Sequence, residues 1–288
     1  MEGIVAVLKP PAMSSSDAVV DVRRIFGTKR VGHLGTLDPE AAGVLPVCVG
    51  RAVRLFDYLV DKQKTYLCEI VFGAATDTQD AQGAVIETSK RTVTADMLDA
   101  VLPQFTGRIV QTPPMYSALK YNGRKLYELA LEGKEIPDKS RGIEILSLER
   151  TETLGENRFL LTVVCSRGTY IRTLCADIGK ALSVPAHMAF LLRTASGAFT
   201  LDQAYPIAQL EAMKAEGRLA DALISCEAAL MHLPRLDLKA EREKPAKNGL
   251  PTRTTAPDGV YRFYCGGFLG VGAVQAGSAL LKVHLYGE

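Results

Sequence analysis

Hydrophobic and polar positions follow two periods along the chain, and each period predicts one kind of element. Short apolar or alternating runs predict strands at residues 4–8, 66–72, 143–150 and 158–166. Apolar positions at helical spacing predict helices over residues 16–26, 94–102 and 173–182 and over part of 119–132. Because strands and helices intermix without a regular βαβ repeat, the pattern favours an α+β protein with a mixed central sheet and flanking helices.

The pattern changes near the C-terminus. Residues 236–255 are polar and rich in lysine and arginine, whereas residues 259–285 alternate aromatic and aliphatic positions with glycines. The second stretch is typical of a small β module. We therefore predict two domains, a larger one over residues 1–231 and a smaller β-rich one over residues 232–288.

Composition excludes several classes of function. The 288 residues are 47% hydrophobic, which is enough for a substantial core. The cysteines and histidines are scattered without a CxxC pair or a ligand cluster, so we expect buried thiols in a reducing compartment and neither a metal site nor a redox motif. No stretch is long and apolar enough to span a membrane, and the N-terminal region has no uninterrupted apolar leader, which together predict a cytoplasmic protein.

One carboxylate occupies a distinctive position in the sequence. Asp38 lies between Gly35 and Pro39 in the segment GHLGTLDPEAAGVLPVCVG, and the proline disfavours helical backbone angles at Asp38. Two interpretations follow from these residues alone: Asp38 is presented on a loop, or it caps a short helix that begins at Pro39. The local pattern by itself favours the cap.

The distribution of charge is more informative than its total. The net charge is only +2, so bulk basicity does not indicate a nucleic-acid partner. Basic residues are nevertheless interleaved with tyrosines at Tyr116, Lys120, Tyr121, Arg124, Lys125 and Tyr127. This mixture suits phosphate contacts combined with stacking on unpaired bases. An amphipathic surface helix would give the same pattern, and the residues alone leave both interpretations open.

Five segments of the chain, in matching order, resemble the TruB family of tRNA pseudouridine synthases. The Asp38 segment resembles the family's GxLDPxAxGxLP signature, whose aspartate is catalytic. Residues 8–24 are similar to the KPxGxTS stretch, although Ala12 and Ser14 stand where glycine and threonine are more usual. Three further family segments are similar to KTYLCEIVFGAATDTQDAQG, QTPPMYSALKYNGRKLYELALEG and SRGTYIRTL. The resemblance covers residues 8–197 and favours a catalytic Asp38 over a capping one.

The resemblance implies a role for each matched residue. Asp38 would be the nucleophile, Arg172 the cation that keeps it ionised, and Tyr66 a ring that stacks on the target base and can relay a proton. Substrate-binding roles are expected at His33, Asp80, Leu191, Lys9, Lys64, Tyr116 and Lys120. Neither a metal nor a cofactor is implied, since the reaction is an isomerisation without net redox change.

The implied fold is a pseudouridine synthase domain followed by a short PUA-like RNA-binding domain. The implied activity is isomerisation of the T-loop uridine of tRNA (conventional position 55), which the enzyme must extrude from its loop. The expected partner is the T arm and T loop of tRNA. No guide RNA is expected, because the chain has no long basic tail, and no obligatory protein partner is implied. The alternative is an RNA-binding protein that assists tRNA folding, with catalysis secondary or lost, but the intact Asp38, Tyr66 and Arg172 favour the enzyme.

Overall fold

A mixed ten-stranded sheet forms the centre of the larger part of the protein. The computed structural model describes residues 1–59, 63–114 and 140–285, together with the backbone of two short strands between 114 and 140. The strands as far as residue 206 are β1 (Gly3–Lys9), β2 (Val31–His33), β3 (Ala42–Val49), β4 (Gln63–Phe72), β5 (Ala74–Thr76), β6 (Val85–Thr88), β7 (Gly107–Gln111), β8 (Lys120–Tyr121), β9 (Arg124–Lys125), β10 (Arg141–Gly155), β11 (Arg158–Ser166), β12 (Ala186–Ser196), β13 (Phe199–Thr200) and β14 (Tyr205–Pro206). The strands that follow are β15 (Arg235–Asp237), β16 (Thr252–Arg253), β17 (Gly259–Cys265), β18 (Gly267–Gln275) and β19 (Ser278–His284).

The large sheet combines parallel and antiparallel neighbours. Its strand order is β14-β1-β3-β12-β4-β11-β10-β7, with β2 paired to β3 and β13 paired to β12. Strand β12 runs parallel to β3 and antiparallel to β4. Two small hairpins, β5-β6 and β8-β9, lie outside this sheet. The mixed sheet predicted from the sequence is therefore confirmed.

The helices lie around the two sheets, and local sequence signals set the ends of the first of them. The helices are α1 (Ser15–Phe26), α2 (Phe56–Leu59), α3 (Ala95–Val101), α4 (Ile171–Leu182), α5 (Ile207–Ala215), α6 (Cys226–Ala229) and α7 (Glu243–Lys247). Helix α1 begins with a capping box between Ser14 and Asp17 and ends at Gly27, whose φ of 63° is left-handed. Its apolar face, including Val22 and Ile25, is buried in the main core.

A close backbone contact joins β3 to β12 where the candidate site lies. Gly43 is opposite Arg193 in the parallel register. A Cβ atom at Gly43 would lie 2.2 Å from the Arg193 carbonyl oxygen, and the φ of 117° at Gly43 disfavours any other residue. On the other side of β12, Arg193 is opposite Tyr66 of β4. Residues distant in sequence, namely the start of β3, Tyr66 and Arg193, therefore meet at one level of the sheet.

The C-terminal strands form a second sheet that shares part of its core with the first. Its order is β15-β17-β18-β19-β16. Val271 and Leu285 belong to a cluster of buried residues that also contains Ile4 and Leu34 from the larger part of the chain. Burial of apolar surface between the two sheets therefore stabilises the position of the C-terminal module.

The sequence patterns located most elements correctly. Strands at 4–8, 66–72 and 158–166 and helices at 16–26, 94–102 and 173–182 correspond to β1, β4, β11, α1, α3 and α4. The strand expected at 143–150 extends over Arg141–Gly155, because it pairs with β7 at one end and with β11 along the rest. The helix expected within 119–132 falls outside the described residues, apart from the backbone of β8 and β9. The second sheet begins at Arg235, and the domain boundary at 231/232 stays a prediction.

The structure also decides between the two interpretations of Asp38 and tests the prediction of buried cysteines. Asp38 lies on a loop, and no helix begins at Pro39; instead the Ala41 N–H donates to the Asp38 carbonyl at 3.1 Å and closes a turn. All six cysteines are buried free thiols, as predicted. Among the described residues, no helix has the length and apolar character needed to cross a membrane.

Candidate active site

A cavity of about 350 Å³ lies where the Asp38 loop meets the start of α4. Its walls are residues 34–38, residues 167–172 and the side chains of Lys64, Tyr66, Arg141 and Leu191. The three residues expected to be catalytic, Asp38, Tyr66 and Arg172, thus line one cavity. Within the part of the chain that the structure describes, no group of three His, Cys, Asp or Glu side chains could hold a metal ion.

Arg172 joins two carboxylates at one wall of the cavity. Its Nε lies 3.0 Å from Asp38 Oδ2, and its Nη1 lies 3.4 Å from Asp80 Oδ2. Nη1 also donates to the Thr78 carbonyl at 3.2 Å. The Arg172 side chain is only 6% exposed, whereas that of Asp38 is 41% exposed. A buried guanidinium therefore fixes the orientation of a carboxylate that faces the open cavity.

Asp80 is held in a tight turn as well as by Arg172. Its Oδ1 accepts from the Thr78 hydroxyl at 2.7 Å and from the Gln82 N–H at 3.1 Å. The backbone at Asp80 forms an isolated bridge with Met188 of β12, which anchors the turn to the large sheet. The sequence TDTQD thus forms a turn, and its last residue, Asp80, also contacts Arg172. This contact fixes the Nη1 end of the Arg172 guanidinium.

Tyr66 and Arg193 lie beneath the Asp38 loop. Arg193 is fully buried, and its guanidinium donates to the carbonyls of Val44 at 2.8 Å, Thr36 at 3.3 Å and Gly35 at 3.3 Å. It also contacts the Tyr66 side chain. Burial raises the pKa of Tyr66, and the positive charge of Arg193 opposes this effect. The phenol is therefore neutral near neutral pH.

Lys9 supports the same loop from below and does not line the cavity. Its side chain is fully buried, and Nζ donates to the carbonyls of Met13 at 2.6 Å, Pro10 at 2.8 Å and Pro39 at 2.9 Å. Burial lowers the pKa of Lys9 to about 8, and the nearby carboxylates of Glu40 and Asp38 oppose the shift. This geometry does not support the direct RNA contact expected from the sequence. It makes Lys9 a residue that positions the turn after Asp38.

Only some of the other residues expected to bind substrate line the cavity. Lys64 and Leu191 line the cavity, and both are largely buried. His33 ends β2 beside the loop, where its Nδ1 accepts from the Gly35 N–H at 3.3 Å, and burial lowers its pKa. It is partly buried and is not one of the cavity walls. The side chains of Tyr116 and Lys120 lie outside the described residues.

The sequence analysis missed several arginines around the cavity. Arg193 stands in the strand LLRTA, and a charged residue in an otherwise apolar strand is a signal that could have identified it. Arg141 and Arg167 also line the cavity. Arg167 lies within the family segment SRGTYIRTL, but the sequence analysis assigned a role to neither arginine. Arg141 donates from Nη2 to the Gly168 carbonyl, and its Cζ lies 4.9 Å from the centre of the Tyr170 ring.

Comparisons of the sequence with known proteins agree with this geometry. Residues 23–171 match the TruB family pseudouridylate synthase N-terminal domain, and residues 172–231 match the tRNA pseudouridylate synthase B C-terminal domain. The chain is 47% identical to tRNA pseudouridine synthase B of Bacillus pumilus (strain SAFR-032), over 86% of this chain and 82% of that protein. It is 44% identical to the protein of the same name from Bacillus subtilis (strain 168), over 86% and 82%.

Solved structures share the fold. A chain from an H/ACA RNP bound to a substrate RNA containing 2'-deoxyuridine has a TM-score of 0.75 and 22% identity, covering 99% of this chain and 85% of that one. A chain from a Cbf5-Nop10-Gar1 complex has a TM-score of 0.72 and 25% identity, covering 94% and 78%. The family match over more than half of the chain and the high identity to curated relatives lead to one conclusion: the chain belongs to the TruB family of pseudouridylate synthases.

Proposed function

We propose that the protein isomerises uridine in the T loop of tRNA to pseudouridine. The observation that carries this proposal is the Asp38 carboxylate, fixed by the buried Arg172 at the wall of a cavity of about 350 Å³. A pocket of this size suits a single nucleoside, which must leave the RNA stack to reach it. The names of the relatives, tRNA pseudouridine synthase B, support tRNA as the substrate.

The reaction needs one well-placed carboxylate and a route for one proton. The bond between ribose C1' and uracil N1 breaks, the base rotates, and a bond from C1' to C5 forms. The C5 hydrogen is lost as a proton and N1 gains one, so atoms and electrons balance within the substrate. We assign Asp38 as the group that attacks C1' or ring C6, or that stabilises a glycal-forming pathway.

Tyr66 and Leu191 are suited to hold the base during this rearrangement. Both line the cavity, so the ring of Tyr66 can stack on the uracil while Leu191 supplies an apolar wall. The buried guanidinium of Arg193 lies behind Tyr66 and would stabilise negative charge on its oxygen if the phenol gave up its proton. Arg172 keeps Asp38 oriented throughout.

We further propose that the T arm is gripped by cations at the cavity and by the C-terminal module. That module has a cleft whose lining includes Lys239, Arg242 and Arg253, side chains suited to backbone phosphates. We expect the PUA-like module to bind RNA, and the whole protein to act in the cytoplasm without a guide RNA or an obligatory protein partner.

Conversion of an unmodified transcript tests the proposed function. The purified protein is incubated with a tRNA transcript in buffer without added metal or cofactor, and pseudouridine is mapped along the RNA. We expect one new pseudouridine, in the T loop, and none in a control transcript with cytidine at that position. Binding without conversion would reject the enzyme and favour the tRNA-folding alternative, and modification elsewhere would reject the T-loop assignment.

A further inference from the structure

One wall of the cavity carries positive charge that the Asp38 network does not use. Arg167 and Arg141 both line the cavity, beside the segment that leads into α4. Arg167 is exposed, and among residues 1–59, 63–114 and 140–285 it has no hydrogen bond or ion pair. Over the same residues, no carboxylate pairs with Arg141 either. The two acidic groups of the site, Asp38 and Asp80, are both bound by Arg172.

Arg141 is held in place although no carboxylate among the described residues pairs with it. Its Nη2 donates to the Gly168 carbonyl, and the guanidinium lies 4.9 Å from the centre of the Tyr170 ring. A Cβ atom at Gly168 would lie 3.2 Å from Arg141 Cζ, so the glycine allows this close approach. The Nε of Arg141 is enclosed and has no hydrogen-bond acceptor within the described structure. The enclosed Nε cannot reach a ligand, but a guanidinium that is fixed in the cavity wall is suited to bind an anion through its terminal Nη atoms.

The rest of this wall favours an anion as well. Helix α4 starts at Ile171 without a side-chain cap, so the positive end of its dipole faces the same region. Lys64 adds a further basic side chain to the cavity walls. These groups supply donors and positive charge, and a phosphodiester next to an extruded nucleoside supplies the matching acceptors.

We propose that Arg141 and Arg167 together bind one phosphodiester of the RNA, adjacent to the uridine that enters the cavity. This proposal rests on the proposed function, because it takes the RNA to be bound with its target nucleoside beside Asp38. The planar fork of a guanidinium matches two phosphate oxygens, so each arginine positions the RNA backbone while Asp38 acts on the base and sugar. Arg141 and Arg167 are positioning residues in this scheme.

Substitution by glutamine tests each arginine through binding and salt dependence. We expect Arg167→Gln and Arg141→Gln each to weaken RNA binding and to reduce the slope of log affinity against log salt, and the double variant to weaken binding about tenfold and to reduce the slope by about 0.7 to 0.9, the contribution of one phosphate. The loss should be larger in KM than in kcat. Arg167 makes no hydrogen bond or ion pair among the described residues, so Arg167→Gln keeps the test valid even if Arg141→Gln is destabilised.

Arg150→Gln is the matched control. Arg150 lies on the same strand as Arg141 and carries the same charge. Nine residues of extended chain separate the two arginines, which corresponds to a distance of roughly 30 Å. Arg150 pairs with Asp99 rather than lining the cavity, at 2.7 Å between Nη2 and Oδ2. We expect its salt slope to equal that of the wild type.

Uncharged linkages in the RNA identify the phosphate. T-arm hairpins that each carry one methylphosphonate are titrated against wild type, Arg141→Gln, Arg167→Gln and the control. One linkage next to the target uridine should weaken wild-type binding about tenfold, yet should weaken each cavity variant less, because part of that contact is already lost. Additive losses at every linkage, or unchanged salt slopes in both variants, would overturn the phosphate site. Wild-type conversion of the unmodified hairpin is measured in parallel, so that a failure of the proposed function is seen separately from a failure of this site.

Discussion

Replacing Arg172 with lysine keeps a positive charge beside Asp38 but removes the planar fork. The guanidinium reaches Asp38 through Nε and reaches Asp80 and the Thr78 carbonyl through Nη1, so two different nitrogens hold two sides of the site. One ammonium group on a shorter stem cannot occupy both positions. We therefore expect Arg172→Lys to fold and to bind tRNA, while the Asp38 carboxylate loses its fixed orientation.

The size of the effect follows from the contacts that are lost. A hydrogen bond to a charged group contributes about 1.5 to 3 kcal/mol, and the variant loses the orientation of Asp38 together with part of the Asp80 contact. A loss of about 2 to 4 kcal/mol of transition-state stabilisation corresponds to a roughly 30- to 1,000-fold lower rate.

Single-turnover kinetics with saturating enzyme measure this rate directly. Thermal unfolding and tRNA affinity of the same preparation show whether the variant is folded and binds. Arg158→Lys is the control, because the exposed Arg158 pairs with the largely buried Glu69 at 2.7 Å and does not line the cavity; its rate should equal that of the wild type. A rate for Arg172→Lys within about threefold of wild type, well below the effect that lost charged hydrogen bonds predict, would refute the orienting role of Arg172.

Three further changes test other parts of the structure. The pKa of Lys9 is lowered from 10.5 to about 8 in the folded protein, so between these two pH values the unfolded state binds more protons than the folded state. The stability of the wild type relative to Lys9→Met should therefore rise with pH across this interval, by at most about 3 kcal/mol. Urea denaturation measures this difference, and a difference that falls with pH would contradict the burial of the Lys9 ammonium group. Gly43→Ala should lose more than about 3 kcal/mol of stability, whereas Gly32→Ala, whose Cβ would have no atom within 4 Å, should change it by about 0.5 kcal/mol or less; equal melting temperatures would disprove the close contact with Arg193. Deletion of residues 236–288 removes Val271 and Leu285 from the core that the two sheets share, so we expect lower thermal stability. The truncated protein should also bind tRNA more weakly, with a smaller salt slope of its affinity, and if soluble it should still convert uridine at high RNA concentration. An unchanged salt slope would reject RNA binding by the module.

Local signals in the sequence accounted for the elements but not for their assembly. Helix α1 could be predicted because its apolar spacing, its Ser14 start and the Gly27 that ends it are all encoded within a few residues. The shared core of the two sheets could not, because it depends on Val271 and Leu285 meeting residues near the other end of the chain. The spacing of apolar residues in a segment shows that one of its faces is buried, but it does not specify which distant surface that face packs against.

The same limit applies to the candidate site. Family resemblance brought Asp38, Tyr66 and Arg172 into one hypothesis, and the structure places all three at one cavity. The role of Arg193 depends on the register of β12 between β3 and β4, which sets residue 193 beside both Gly43 and Tyr66. The resemblance placed Lys9 among the residues that bind RNA, and only its burial under the turn shows that it supports the loop.

The most direct test of the central claim is the rate of pseudouridine formation by Asp38→Asn. Asparagine keeps the size of the side chain and removes the charge, and the phosphate contacts lie elsewhere, so tRNA affinity should change little while conversion is lost. Asp57→Asn removes the same charge at an exposed position of α2 and serves as the control, with a rate equal to wild type. The account predicts no detectable pseudouridine from folded, tRNA-bound Asp38→Asn under conditions in which the wild type and the control convert the T-loop uridine fully. Turnover by Asp38→Asn near the wild-type rate would contradict it.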